Sequence, residues 1–377
     1  MSIAAYHPPK PWHRRLAATA LWLSVMLTPA AAAPTPERDW LDVVRKTPFE
    51  ASQGVAANLA IIRGWVLLGE GYCSRSRRHL LFDHRAQFLT YIADAPSQQA
   101  TVARLNQARL QLAQQQRVAH WSRGSLGRRG YPIALACHQP EADMNRAIAR
   151  LTGSSGEHRV WGSWDGMRVG EPDAPVSLVE LFRAVYEHRK AQGRFSFPDS
   201  VMPTFLGKTI IESGGRKYAL SPQAARGIMQ LRPEVLNDCE IPQRFRLHRI
   251  AQVDCALRLV EQNHRNLEAP FLAVFGALPA DKRERLYGLL LTQSYQIGVG
   301  RTIELLQDEE LGQAARYFAA HHPRFSAEDI QVGLIYHNMG RRDLGLRTLY
   351  YVTDTHLAQQ ALCATASMQD DRWCLAR

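Results

Sequence analysis

Long apolar runs are nearly missing from this chain of 377 residues. One stretch, Leu16 to Leu27, approaches such a run, and it is too short to span a bilayer comfortably. No other stretch comes near the required length, so several membrane crossings are excluded. The cysteines lack any C-x-x-C spacing, and no His/Cys cluster has zinc-ligand spacing, so neither a metal nor a cofactor is expected. No internal repeat of fixed period is found. Acidic residues are the scarcer charge, 35 against 46 Lys and Arg, giving a formal charge of +11. That imbalance points to an anionic partner: nucleic acid, a membrane surface or an acidic polymer. What the chain does have is a hydrophobic fraction of 46%, enough for a proper core and contrary to wholesale disorder.

Lys10, His13, Arg14 and Arg15 stand before the apolar run, which ends at Pro29-Ala30-Ala31-Ala32-Ala33. A basic start, a short apolar middle and small residues at a cut site predict an export signal over residues 1–32. Cleavage is placed after Ala32, because Pro34 would otherwise follow the cut directly. An uncleaved signal serving as an anchor is the alternative. Removing this segment takes away Lys10, Arg14 and Arg15 and no acids, so the remainder stays basic. A periplasmic location follows, with no nucleic-acid partner and an envelope polyanion in its place. Six cysteines suit an oxidising compartment. They allow fifteen connectivities; pairing in chain order is expected, Cys73 with Cys137, Cys239 with Cys255 and Cys363 with Cys374, against the alternative of buried free thiols.

The chain reads as predominantly α. Residues 33–152 are expected to form a helical accessory domain, with helices near Val55–Leu68, His79–Ile92, Gln98–Gln116 and Asp143–Leu151. Residues 153–176 change composition (Gly153-Ser-Ser-Gly156, then Trp161-Gly-Ser-Trp164) and read as a linker. Trp161 and Trp164 would either pin this segment to a domain or stack on sugar faces. From Ser177, a helix N-cap, to residue 377 the pattern is helical almost throughout.

Glu212 carries the chemistry. It ends the apolar run Phe205-Leu-Gly-Lys-Thr-Ile-Ile211, and no Asp or Glu follows until after Gln230. A carboxyl against apolar side chains has its charged form disfavoured, which suits a general acid for glycosidic cleavage. Ser221 can steer that carboxyl, and Gln230 offers donor and acceptor to an N-acetyl group or hydroxyl.

Glu212-Ser213, then Ser221-Pro222 through Gly227-Ile228-Met229-Gln230-Leu231, resembles the catalytic module of soluble-type lytic transglycosylases. Ser294-Tyr295-Gln296-Ile297-Gly298 resembles that family's Ala-Tyr-Asn-x-Gly motif, and Tyr350-Tyr351-Val352 its terminal Tyr-Val motif. The likeness covers about residues 195–355. It implies a lysozyme-like (α+β superfamily) catalytic domain within 177–377 that acts on the glycan strands of peptidoglycan. Glu212 would be the sole acid/base; Ser221, Gln230, Tyr295 and Gln296 would meet substrate; Tyr351 would hydrogen-bond near Glu212. Met229 would form apolar wall or ordinary core. The accessory region would position the module on glycan or dock it to an envelope protein.

Three positions depart from the family pattern. Gln296 replaces Asn, Ala224 stands where Gly is common, and Gly215-Arg216-Lys217 replaces a segment that often carries an aromatic residue. Arg216 and Lys217 would either lie on a solvated loop or meet peptide and lactyl carboxylates. Tyr336-His337-Asn338-Met339-Gly340 competes for the third motif, though Tyr295 is preferred for its distance from Glu212 in the chain. His321, His322 and His337 read as surface or core histidines. A hydrolytic lysozyme, using Glu234, Asp238 or Glu240 to activate water, is one rival function. A non-catalytic peptidoglycan-binding scaffold is the other.

Overall fold

The computed structural model describes residues 40–139, 143–154 and 158–375. The expected signal segment 1–32 lies outside them. In chain order come α1 (Trp40–Arg45), α2 (Val55–Leu68), β1 (Arg78–Phe82), β2 (Phe88–Ala93), α3 (Gln98–Gln114), β3 (Ile133–Ala136), α4 (Met144–Leu151), β4 (Gly162–Trp164) and β5 (Met167–Val169). Helices follow to the end: α5 (Leu178–Ala191), α6 (Val201–Ser213), α7 (Pro233–Asp238), α8 (Arg249–Phe275), α9 (Ala280–Ile297), α10 (Val299–Gln307), α11 (Gln313–Ala320), α12 (Ala327–His337), α13 (Leu346–Cys363) and α14 (Arg372–Leu375). The protein is therefore mostly helical. No described helix is long and apolar enough to cross a membrane.

The expected helix at His79–Ile92 is instead a β-hairpin, part of an antiparallel sheet ordered β2-β1-β3. Asp83 breaks the run: its Oδ1 accepts from the amides of Arg85 (2.8 Å) and Gln87 (2.9 Å) and organises the turn. The strand eluded pattern reading because β1 is buried on both faces. Leu80 packs with Leu59, Ile133 and Leu135, while Leu81 faces Leu105, Leu112 and Trp121 around α3. A strand covered on both sides reads as a continuous apolar run and not as alternation.

The described residues pack as one compact unit. Helix α2 shares a core with α12 and α13. Arg63 forks onto Asp354 at 2.6 Å through both Nε and Nη2, with both side chains buried. Asp329 of α12 accepts from the amides of Gly54 and Ala56, each at 3.1 Å, satisfying donors at the start of α2 that no helical carbonyl can reach. Within the segment read as a linker, residues 158–176 carry regular structure. Strands β4 and β5 pair, Met167 and Val169 enter the main core, and Trp164 packs on Phe245 and His248. Trp164 thus pins the hairpin, while Trp161 stays exposed. The cysteines pair in chain order: Cys73–Cys137, Cys239–Cys255 and Cys363–Cys374.

Candidate active site

Helix α6 runs through the core, buried at every position from Val201 to Ile210, and surfaces only in its last turn. Glu212 sits there, its side chain 23% exposed. Gly214 ends the helix in the left-handed conformation (φ 60°), where a side chain would be strained.

The partner of Glu212 arrives by a close helix crossing. At Gly207 an added Cβ would lie 2.4 Å from the Thr355 carbonyl oxygen, so the missing side chain lets α6 and α13 meet backbone to backbone. Following α6 forward from that crossing and α13 backward brings Glu212 to Tyr351. Tyr351 Oη donates to Glu212 Oε1 at 2.9 Å. Burial first, then the Glu212 charge and this bond, push the Tyr351 hydroxyl well above its ordinary pKa, so it remains a donor.

One turn before Glu212, Lys208 is fully buried with its Nζ 3.9 Å from Glu212 Oε1. That nitrogen has no hydrogen-bond acceptor among the described residues; it lies 3.5 Å from the centre of the Tyr295 ring and 5.1 Å from that of Phe205. Burial lowers its pKa to about 8, with Glu212 pulling the other way. The recess beside Glu212 is thus not the purely apolar wall expected from the sequence. The readable signal was a single cation four residues before the acid in an apolar helix, a spacing that places both on one face.

The loop after α6 is held from below. Ser213 Oγ donates to the Ile228 carbonyl (2.7 Å) and accepts from the Gly215 amide (3.0 Å). Gln252 of α8 accepts from the Met229 amide (3.2 Å) and donates to the Arg226 and Arg246 carbonyls. A Cβ at Gly227 would fall 2.1 Å from the Gln252 amide, so this position requires glycine. Tyr295 Oη closes the frame by donating to the Met229 carbonyl at 3.2 Å.

The expected site residues therefore divide. Glu212, Tyr351 and Tyr295 converge, and Met229 is fully buried wall beneath them. Ser221 Oγ accepts from the amides of Gln223 and Ala225, so it shapes its own turn, in which Ala224 takes a positive φ of 61°. Gln230 Nε2 folds back onto the Gly227 carbonyl at 3.0 Å. Gln296 has a buried Oε1 with no donor among the described residues. The competing segment is structural: Tyr336 lies in the core, and Asn338 Nδ2 donates to the Leu311 and Leu334 carbonyls at the end of α12. His337 is a core histidine, bonded to Ser52 and lowered by burial to about 4.

Sequence reasoning expected the helix α4 but not its place beside Glu212. Gly214 and Gly215 follow Ser213, and a Cβ at Gly215 would fall 2.9 Å from Leu151, while one at Gly214 would just touch Ala147 and Arg150. Helix α4 therefore approaches closely and forms the facing wall of a cavity of about 280 Å³ that holds Glu212 with Asp143, Arg146, Arg150 and Arg216. Asp143 is the other carboxylate lining it; its side chain caps α4 at the Arg146 amide and pairs with the Arg146 side chain. Glu234, Asp238 and Glu240 are exposed and do not line this cavity. Comparison with family models, curated proteins and solved structures finds no match for this chain.

Proposed function

We propose that the chain is an exported lytic transglycosylase with a lysozyme-like catalytic region, cleaving the β-1,4 bond between N-acetylmuramic acid and N-acetylglucosamine in peptidoglycan. The observation that carries this reading is Glu212 in a cavity, bonded by Tyr351, with the cavity's other carboxylate, Asp143, engaged as a helix cap. A site with one available carboxylate suits a reaction in which the substrate supplies the nucleophile.

With Oε1 occupied by the Tyr351 donor, the transferable proton belongs on Oε2. Glu212 gives it to the glycosidic oxygen, and the substrate's N-acetyl group stabilises the oxocarbenium-like centre in place of a protein nucleophile. The carboxylate so formed faces the Tyr351 hydroxyl and the Lys208 ammonium, which favour its negative charge in a shielded site. It then accepts the proton of the muramic acid 6-hydroxyl, and that oxygen closes on C1 to give the 1,6-anhydro sugar. Water is not consumed.

Mass spectrometry of digested sacculi tests the proposal. Anhydro ends are expected from the native protein and none from Glu212→Gln. Reducing ends would replace this reading with hydrolysis, and no new ends with a binding scaffold.

A further inference from the structure

The cavity holding Glu212 does not end at Arg150 and Arg216. Those two residues also line a second hollow of about 770 Å³, bounded by Lys217, Arg249, Tyr218 and Leu220 among others. Its lining contains Arg150, Arg216, Lys217 and Arg249 and no carboxylate. Among the described residues none of these four cations pairs with an acid. Arg150 donates to the Gly214 carbonyl (3.2 Å), Arg216 to the Ser213 carbonyl (2.9 Å), and Arg249 to the carbonyls of His158 and Arg159. Lys217 lies over the Tyr218 ring at 5.1 Å. The backbone contacts hold three guanidinium groups in place, and among the described residues no carboxylate neutralises them.

The neighbouring His248 registers the resulting field. Its pKa is lowered by burial first and then by Lys217 and Arg249. Tyr218 and Leu220 are 72% and 65% exposed at the rim, so apolar surface stands beside the charge. A ligand matching this hollow carries carboxylates on short aliphatic chains and extends from whatever occupies the Glu212 cavity.

We propose that this basic hollow is a subsite for the peptide stems of the glycan strand, whose carboxylates meet Arg150, Arg216, Lys217 and Arg249 while the sugar lies at Glu212. The assignment rests on the glycan reading above. It also gives α4 a function: the helix brings Arg150 to the junction of the two hollows, close to Gly214 and Gly215. The Arg216-Lys217 pair is then part of a binding surface.

Binding separates this subsite from the lytic reading. Affinity is measured for glycan strands bearing their stems and for the same strands stripped by an amidase. The native protein should prefer the stem-bearing strands by about tenfold, the worth of a few partly exposed charge contacts. The double variant Arg216→Gln/Lys217→Gln should bring that ratio near unity, and Lys217→Gln alone should reduce it partway. Both alter exposed side chains, and unchanged melting temperatures would verify folding. Equal affinity of the native protein for the two strands, or a ratio that survives the double variant, overturns the subsite. Cleavage is followed in parallel. A preserved preference without anhydro products would leave the subsite standing and remove the lytic reading; anhydro products from both strands at equal affinity would do the reverse.

Discussion

Two helices flank Glu212, and they approach it for opposite purposes. Helix α13 comes in through the bare backbone at Gly207, brings the Tyr351 hydroxyl, and is tied behind by the buried Arg63–Asp354 fork. Helix α4 comes in over Gly214 and Gly215 and brings an exposed Arg146 paired with Asp143 and a half-exposed Arg150 held by the Gly214 carbonyl. The first wall is dry and fixes one carboxyl; the second is wet and offers charge to a ligand. Glycine makes both approaches, but only the buried side can make a single hydrogen bond decisive, because desolvation strengthens it.

The strongest way to break this contrast is to remove the proton from the dry side. Glu212→Gln should lower cleavage about a thousandfold while leaving the melting temperature within a degree or two. Product counting against the native protein decides it, and appreciable residual turnover would remove Glu212 as the acid.

Lys208 supplies the next test. Its folded pKa, about 8, lies below the ordinary value of 10.5. Between those values the unfolded chain holds a proton that the folded protein has released, so stability rises with pH across that window and the burden of the buried ammonium is full below it. The gain is about 3 kcal/mol at most. Urea unfolding at pH 7 and pH 10 should show this rise in the native protein and lose it in Lys208→Met. Parallel behaviour of the two proteins would mean that Lys208 is not desolvated.

Gly207→Ala sharpens the account of the crossing. The new methyl group meets the Thr355 carbonyl, so α6 and α13 must part, at about 2 kcal/mol of stability. Cleavage should fall further than stability explains, because Tyr351 is drawn away from Glu212. Thermal melting and initial rates on one preparation measure both. Tyr351→Phe isolates the hydrogen bond: a loss of about tenfold in kcat is expected without a change in fold, in line with a charge-assisted bond in a partly buried site. Ala224→Gly gives the smallest effect. It relieves a left-handed alanine in the Ser221 turn, and a gain near 1 kcal/mol is expected in denaturant unfolding.

The helical regions legible in the sequence were those with one buried stripe or a clear cap, such as α5, where Ser177 and Glu180 form a reciprocal cap. The hairpin β1–β2 was misread because burial on both faces erased its period. The contacts that tie α2 to α12 and α13 were not legible for a related reason. The Arg63–Asp354 pair and the Asp329 cap join residues nearly three hundred positions apart, and no local pattern announces such contacts. Within the site, Glu212, Tyr295 and Tyr351 were legible, whereas Lys208 passed for part of an apolar run.

The order of residue types along the chain determined much by itself. It set the excess of cations, an acid at the end of an apolar helix, the even cysteine count, and the glycines at 207, 214, 215 and 227. Tertiary structure alone decided what those glycines admit: α13 at one side of Glu212, α4 at the other, and Gln252 beneath the loop. The reason is steric. An absent side chain is visible in a sequence, but the neighbour that fills its space is chosen only when distant segments pack together.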